Sequence, residues 1–150
     1  MPIPSLLPCG LLPHGVYDCS VAEIEQRYAI NQHRQNLWDS FKGFLAWLDT
    51  QPRVQHMYID GGFTSDKTTP KDIDVVLDLT GCSDQTSLHW IGIFFQKRSD
   101  LESQYKVDFW VKHPVIGNDL VSFFHYVRVE ELHARNLPPD TRKGLLRVSL

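Results

Sequence analysis

The spacing of apolar and polar residues predicts two helices in the first third of the chain. Ser20 and Glu23 have the form of a capping box, in which both side chains satisfy free N–H groups at a helix start. From residue 31 to 49 the large apolar residues recur at the spacing of one helix face, and Pro52 follows the end of this pattern. These residues are Leu37, Trp38, Phe41, Phe44, Leu45 and Leu48.

Three short runs rich in β-branched and aromatic residues predict strands at 54–59, 73–79 and 106–111, and the closing GLLRVSL predicts another. Apolar residues at helical spacing predict helices at 84–98 and from 119 to about 133. We expect the aromatic side chains of the helices to lie in the core, among them Trp38, Phe41, Phe94 and Phe123. The predicted class is α+β (α/β), a small mixed sheet flanked by helices.

Length and composition favour one domain over residues 1–150, since 42% of the chain is apolar and no region differs markedly in composition. Residues 1–19 are predicted to be an extended arm, because three prolines interrupt their apolar run and no basic segment precedes it. The longest apolar run, WIGIFF, is far shorter than the roughly 20 residues that cross a bilayer. No membrane partner is therefore expected.

Net charge and cysteine content limit the classes of ligand and the cellular compartment that are expected. The net charge of −3 gives no electrostatic support for non-specific binding to DNA, RNA or anionic membranes. Cys9, Cys19 and Cys82 form no C-x-x-C pair, so neither a disulfide framework nor a four-cysteine zinc site is predicted. This cysteine usage favours the cytoplasm.

Two aspartates at the head of a predicted buried strand form the first chemical signal. Asp72 and Asp74 should project to the same face, about 6.6 Å apart at a rise of about 3.3 Å per residue. Asp108 should face away from the core on the next strand. If the strands are neighbours, the three carboxylates converge and offer the oxygen ligands that Mg²⁺ or Mn²⁺ prefers, enough for two ions about 3.5–4 Å apart.

A glycine pair after the preceding strand supplies the second signal. Gly61 and Gly62 let backbone N–H groups approach an anion, and Thr64, Ser65 and Lys67 add hydroxyls and a positive charge suited to phosphate. Metal and phosphate ligands in one strand-loop-strand unit predict a nucleoside triphosphate as ligand.

Simpler readings exist for each of these features. A D-x-D pair alone is often a solvated strand end, and two glycines are often a turn. Lys67 and Lys71 also fit solubilising charges. For Arg142 and Lys143 we favour a charged turn without function.

The segment GGFTSDKTTPKDIDVV, with VDF later, resembles the nucleotidyltransferase (DNA polymerase β-like) superfamily. Its signature is h-G-[GS], a loop of about ten residues, D-h-D-h and a third acidic residue on a following strand. This motif covers residues 59–108. The longer context is similar to small bacterial and phage-associated members of the minimal nucleotidyltransferase type.

The resemblance implies a nucleotidyltransferase fold and a role for each matching position. Gly61 and Gly62 would bind the triphosphate. Asp72 and Asp74 would bind both catalytic metals, and Asp108 would complete the metal site and help to deprotonate the acceptor. The implied reaction is transfer of a nucleoside monophosphate, with AMP from ATP as first choice, to a protein or RNA hydroxyl with release of pyrophosphate.

Partners and alternatives also follow from the resemblance. Small members often act as antitoxins that modify a toxin, so a toxin-like protein partner is expected by analogy. Many members carry Ser where this chain has Gly62, and Thr64 or Ser65 would have to replace that hydroxyl. The alternative is a binding module of the same fold with weakened catalysis, and phosphate-ester hydrolysis is a lesser one.

Overall fold

The computed structural model describes residues 3–114 and 120–150, whose five strands form one mixed sheet. The sheet order is β1-β5-β2-β3-β4. Pairs β1/β5 and β3/β4 are parallel, whereas β2 runs antiparallel to both of its neighbours. The strands are β1 (Val16–Asp18), β2 (His56–Asp60), β3 (Ile73–Asp78), β4 (Val107–Lys112) and β5 (Leu145–Ser149).

In the described part of the chain five α-helices accompany the sheet, so the predicted α+β class is confirmed. The capping box at Ser20 is present: its hydroxyl accepts the Glu23 N–H at 3.1 Å, and the Glu23 carboxylate accepts the Ser20 N–H at 3.3 Å. The helices are α1 (Val21–Tyr28), α2 (Gln32–Leu48), α3 (Asp84–Tyr105), α4 (Leu120–Phe124) and α5 (Val129–Ala134). None of the described helices is long and apolar enough to cross a membrane.

The main core lies between one face of the sheet and helices α1, α2 and α3. Alternation along the strands decides which residues enter it, since successive side chains point to opposite faces. On β4, Val107, Phe109 and Val111 are buried in this core, and Asp108 and Trp110 lie on the opposite face. We call the opposite face the second face. There a smaller cluster around Tyr58 and Val76 is covered by residues of α4.

Two of the helix predictions need correction. The helix predicted from 84 to 98 continues to Tyr105 and ends where Lys106 adopts a left-handed conformation at φ 57°. The helix predicted from 119 to about 133 is two helices, α4 and α5, because the chain between them forms a bridge from Tyr126 to Arg142. Residue 119 lies outside the described residues.

Two further expectations about packing were wrong or incomplete. Phe123 is 61% exposed rather than in the core, since the break between α4 and α5 ends the apolar stripe on which its burial depended. The predicted arm contains β1 and buries Ile3, Leu11 and Leu12. A three-residue strand shows too few alternations to be recognised, and its partner β5 is remote in the sequence.

A buried arginine on α2 fixes the loop that follows β2. The Arg34 side chain is enclosed in the core and donates to carbonyl oxygens of the loop: Phe63 at 2.7 Å, Ser65 at 2.8 Å and Lys67 at 2.6 Å. It also donates to the carbonyl of Tyr28, the last residue of α1, at 3.1 Å. One guanidinium therefore satisfies several buried carbonyls and fastens the loop to two helices.

Replacement of Arg34 by Met should lower the free energy of unfolding by about 2–4 kcal/mol, because several buried carbonyls lose their donor at once. Urea denaturation monitored by circular dichroism measures the loss. Arg53→Met is the matched control, since Arg53 makes one exposed hydrogen bond, to the Leu150 carbonyl. Equal losses in the two variants would contradict this role for Arg34.

Candidate functional site

The strand order brings together the three aspartates that the sequence singled out. Strands β3 and β4 are neighbours, and their register places Asp74 beside Asp108 on the second face. Asp72 lies just before β3, two residues from Asp74. One carboxylate oxygen from each residue lies within 4.8 Å of the others. We call Asp72, Asp74 and Asp108 the aspartate triad.

A fourth carboxylate, which the sequence reasoning missed, lies next to the triad. Asp60 is opposite Asp74 in the antiparallel β2/β3 pair and is 2% exposed. The Lys143 ammonium lies 3.0 Å from Asp60 Oδ2. Alternation along β2 could have placed Asp60 on this face, since Asp60 is two residues after Tyr58. Nothing in the local sequence shows that Lys143 would reach it.

Burial and like charges act together on the central carboxylate. Burial, followed by the charges of Asp60, Asp72 and Asp108, raises the pKa of Asp74 to about 8, while Lys143 opposes the increase. Burial likewise raises the pKa of Asp60, again opposed by Lys143. Without a bound cation, Asp74 therefore carries a proton at neutral pH.

Two residues of α3 contact the outer members of the triad. The Arg98 guanidinium donates to Asp108 Oδ1 at 2.7 Å and lies 3.9 Å from the centre of the Trp110 ring. Burial and a hydrogen bond with Asp72 raise the pKa of Glu102 to about 7. Arg98 thus fixes the orientation of one carboxylate, and Glu102 adds another acidic group beside Asp72. Neither residue was singled out from the sequence.

Position 61 requires glycine, because there is no room for a side chain beside Asp74. Gly61 has φ +91°, and a Cβ there would lie 2.4 Å from Asp74 Oδ2. At Gly62 a Cβ would lie 3.0 Å from the flexible Lys67 side chain, so a serine needs a shift of that chain. The absence of a side chain at 61 allows the backbone to approach the triad closely.

The hydroxyls predicted to bind phosphate stabilise the loop itself. Thr64 Oγ1 donates to the Gly61 carbonyl at 3.2 Å, and Ser65 Oγ donates to the Gly62 carbonyl at 2.8 Å. Both side chains are buried. We call residues 61–67 the glycine loop.

One cleft of about 710 Å³ contains the triad and most of the predicted phosphate ligands. Gly61, Gly62, Ser65 and Lys67 line it, whereas Thr64 does not. The Lys67 ammonium lies 3.6 Å from Glu131, which also lines the cleft. The remaining lining includes a group of aromatic residues from β4 and the α4–α5 region. These are Trp110, Phe123, Phe124 and Tyr126.

The donor set of the triad fits a divalent cation. Oxygens bound to one Mg²⁺ at about 2.1 Å lie up to about 4.2 Å apart, and two ions about 3.5–4 Å apart accept a wider spread. The observed limit of 4.8 Å lies in this range before any adjustment of side chains. The triad is therefore suited to Mg²⁺ or Mn²⁺.

The sequence of the chain matches one protein family. The model of the family of unknown function DUF6932 matches residues 4–149. The chain belongs to this family. No curated protein and no solved structure matches the DUF6932 chain. Its resemblance to nucleotidyltransferases stays a prediction from the sequence.

Replacement of Gly61 by Ala should disrupt the triad, because the new methyl group overlaps Asp74 Oδ2. We expect Mn²⁺ affinity to fall at least about tenfold, as measured by isothermal titration calorimetry. Gly81→Ala is the matched control, since Gly81 has φ +81° but no atom near its missing Cβ. Both variants should lose about 1 kcal/mol of stability through backbone strain. Loss of Mn²⁺ binding in both would contradict a specific effect on Asp74.

The raised pKa of Asp74 predicts a pH-dependent effect on stability in metal-free protein. Between about pH 4 and 8 the folded state holds a proton that the unfolded state has lost, so this group's contribution to stability falls as pH rises. Asp74→Asn removes the buried charge. Its Tm should match the wild type near pH 4 and exceed it by several degrees at pH 8.

Thermal denaturation in EDTA at a series of pH values measures this difference. Asp39→Asn, which removes an exposed carboxylate from α2, is the control and should follow the wild type. A constant difference between Asp74→Asn and the wild type across the pH range would rule out a raised pKa.

Proposed function

We propose that this DUF6932 protein is a metal-dependent nucleotidyltransferase that transfers a nucleoside monophosphate, AMP from ATP as first choice, to a hydroxyl group. One observation carries the proposal: Asp74 and Asp108 lie on adjacent strands with Asp72 just before β3, the oxygens of the triad lie within 4.8 Å, and the triad shares a cleft with the glycine loop. Each part matches the chemistry needed to hold two Mg²⁺ or Mn²⁺ ions and a triphosphate.

The proposed roles follow from position. Asp72, Asp74 and Asp108 would hold the metal ions, and the backbone N–H groups of Gly61 and Gly62 would bind phosphate oxygens. When bound, the ions would offset the phosphate charge and favour ionisation of the acceptor hydroxyl. Arg98 contributes by holding the carboxylate of Asp108 in one orientation.

The proposed transfer is balanced without any further reactant. The acceptor oxygen forms a bond to the α-phosphorus, and the bond from that phosphorus to the bridging oxygen of the β-phosphate breaks. Pyrophosphate leaves with the electron pair, and Asp108 takes the proton of the hydroxyl. Asp108 is suited to this task because it lies at the outer edge of the triad, half-buried rather than enclosed.

The aromatic lining of the cleft supports a nucleotide over a simple polyphosphate. Phe123 is 61% exposed and Tyr126 is 55% exposed, although both line the cleft. The Arg142 guanidinium lies 3.8 Å from the centre of the Tyr126 ring. Exposed rings of this kind stack on planar bases. A ligand with a charged phosphate chain and a flat base matches both the glycine loop and the aromatic residues of the lining.

Net charge, cysteine usage and the analogy with small nucleotidyltransferases indicate the acceptor and the cellular setting. The net charge of −3 favours a protein hydroxyl over a long RNA. A toxin-like protein is the partner that the analogy with small nucleotidyltransferases suggests. Cytoplasmic location is in keeping with three free cysteines.

A second candidate is a nucleotide-binding module with weakened catalysis. Gly62 offers no hydroxyl, and the hydroxyls of Thr64 and Ser65 donate to carbonyls of the glycine loop. A side-chain contact to phosphate would then be missing, while binding of metal and nucleotide through the triad is retained.

The test is incubation with α-labelled ATP, GTP, CTP or UTP and Mg²⁺ or Mn²⁺, with pyrophosphate release and label transfer to protein and RNA measured. We expect transfer that falls at least about 100-fold in Asp72→Asn and Asp74→Asn. Asp78→Asn is the matched control, since it lies on the same strand and face as Asp74 but at the far end. It should retain activity.

Each outcome separates the two candidates. Metal-dependent nucleotide binding without transfer to any acceptor would favour the binding module. Absence of both binding and transfer would overturn the site itself.

A further inference from the structure

The backbone of Lys143 is held in place from both sides. Its N–H donates to the His125 carbonyl at 2.9 Å, and its carbonyl accepts the His125 Nδ1–H at 2.7 Å. The next residue, Gly144, donates to the Leu12 carbonyl at 3.1 Å. Lys143 is therefore held in a fixed position and does not lie in a turn, whereas the sequence interpretation placed it in a charged turn.

The side chain of Lys143 reaches from this anchor to the Asp60 carboxylate in the cleft. It is 19% exposed, and its ammonium lies 3.0 Å from Asp60 Oδ2, whereas the Asp60 side chain is 3% exposed. Lys143 lines the same cleft as the triad and the glycine loop. Its charge is therefore partly buried and lies beside the Asp60 carboxylate.

The strand register puts this charge at a defined place. Asp60, Asp74 and Asp108 lie side by side across β2, β3 and β4, and we call them the aspartate row. Lys143 lies at the Asp60 end of the row and Arg98 at the Asp108 end. The Gly61 backbone follows Asp60 directly, so the ammonium lies at the end of the row nearest the glycine loop.

A triphosphate entering this cleft meets several carboxylates and needs nearby cations. Lys67, the candidate from sequence, has a side chain that is half exposed and lies near Glu131. Lys143 is more enclosed, and an enclosed cation interacts more strongly with an anion. An ammonium has three N–H donors, so contact with Asp60 leaves capacity for phosphate oxygens.

We propose that Lys143 is a phosphate-binding residue of this cleft and that Asp60 is the positioning residue that holds its ammonium there. The ligand class, a triphosphate, rests on the proposed function. The same positive charge opposes divalent cations at the triad. Loss of Lys143 therefore weakens polyphosphate binding without weakening metal binding, whereas general damage to the site weakens both.

The experiment uses the full chain and inorganic tripolyphosphate as probe. Calorimetry gives the Kd of Mn²⁺ alone and the Kd of tripolyphosphate at saturating Mn²⁺. Lys143→Met should weaken tripolyphosphate binding at least about tenfold and leave the Mn²⁺ Kd unchanged or lower. Lys97→Met, which removes an exposed lysine from α3, is the matched control and should change neither value.

Two more variants keep the test valid if Lys143→Met fails to fold with an unpaired Asp60. The double variant Asp60→Asn with Lys143→Met removes both charges and should lose tripolyphosphate affinity to the same degree. Asp60→Asn alone should weaken this affinity by a smaller factor, since the lysine remains but is held less firmly. Wild-type affinity in the double variant would overturn the proposal.

The outcomes also distinguish this proposal from the proposed function. If tripolyphosphate binds and Asp74→Asn abolishes its binding while Lys143→Met does not, the role of Lys143 is overturned and the transferase site stands. If Lys143→Met weakens binding but no nucleotide is ever transferred, Lys143 stands and the proposed activity falls. If the wild type binds no tripolyphosphate with Mn²⁺, both are overturned.

Discussion

Repulsion among carboxylates across the second face of the sheet is the constraint on which the rest of this site depends. The adjacency of β2, β3 and β4 leaves Asp60, Asp74 and Asp108 side by side, with little water to screen them. Without a metal, a lysine at one end, an arginine at the other and a proton on Asp74 reduce the charge. Such an arrangement destabilises the fold unless a cation joins it, which is typical of a site shaped for function rather than for stability.

Packing on the opposite side of the sheet offsets the destabilising effect of these carboxylates. There the aromatic and aliphatic side chains of α2 and α3 form a large buried core, so the acidic face does not have to supply stability. Arg34 links the two sides. Its side chain is buried in the core and donates hydrogen bonds to carbonyls of the glycine loop, which keeps the backbone near Asp74 in place. Rigid support of this kind lets a ligand bind without ordering the loop first.

The sequence predicted the parts of the site that follow from local periodicity. Alternation on two strands was enough to put Asp74 and Asp108 on one face, and the glycine pair indicated a close approach of backbone. It did not predict that Arg34, Asp60 or Lys143 contributes to the site, because each contacts a residue remote in the chain. Periodicity shows which face of a strand or helix a side chain occupies, but not which remote residue it contacts. The division of the predicted last helix into α4 and α5 had the same origin: the bridge from Tyr126 to Arg142 overrides the local apolar stripe.

The interior position of β5 in the sheet links the order of folding to the completion of the acidic site. This strand lies between β1 and β2, and its Arg147 pairs with Asp18, 129 positions away in the chain. Contacts so distant in sequence form slowly, since the entropy of loop closure must be overcome before they add stability. Lys143 comes just before β5, and its contact with Asp60 joins positions 83 apart in the chain. During synthesis Asp60 therefore remains without its lysine until the segment that contains Lys143 has been made, so a chain shortened before Lys143 leaves this buried carboxylate without its cation.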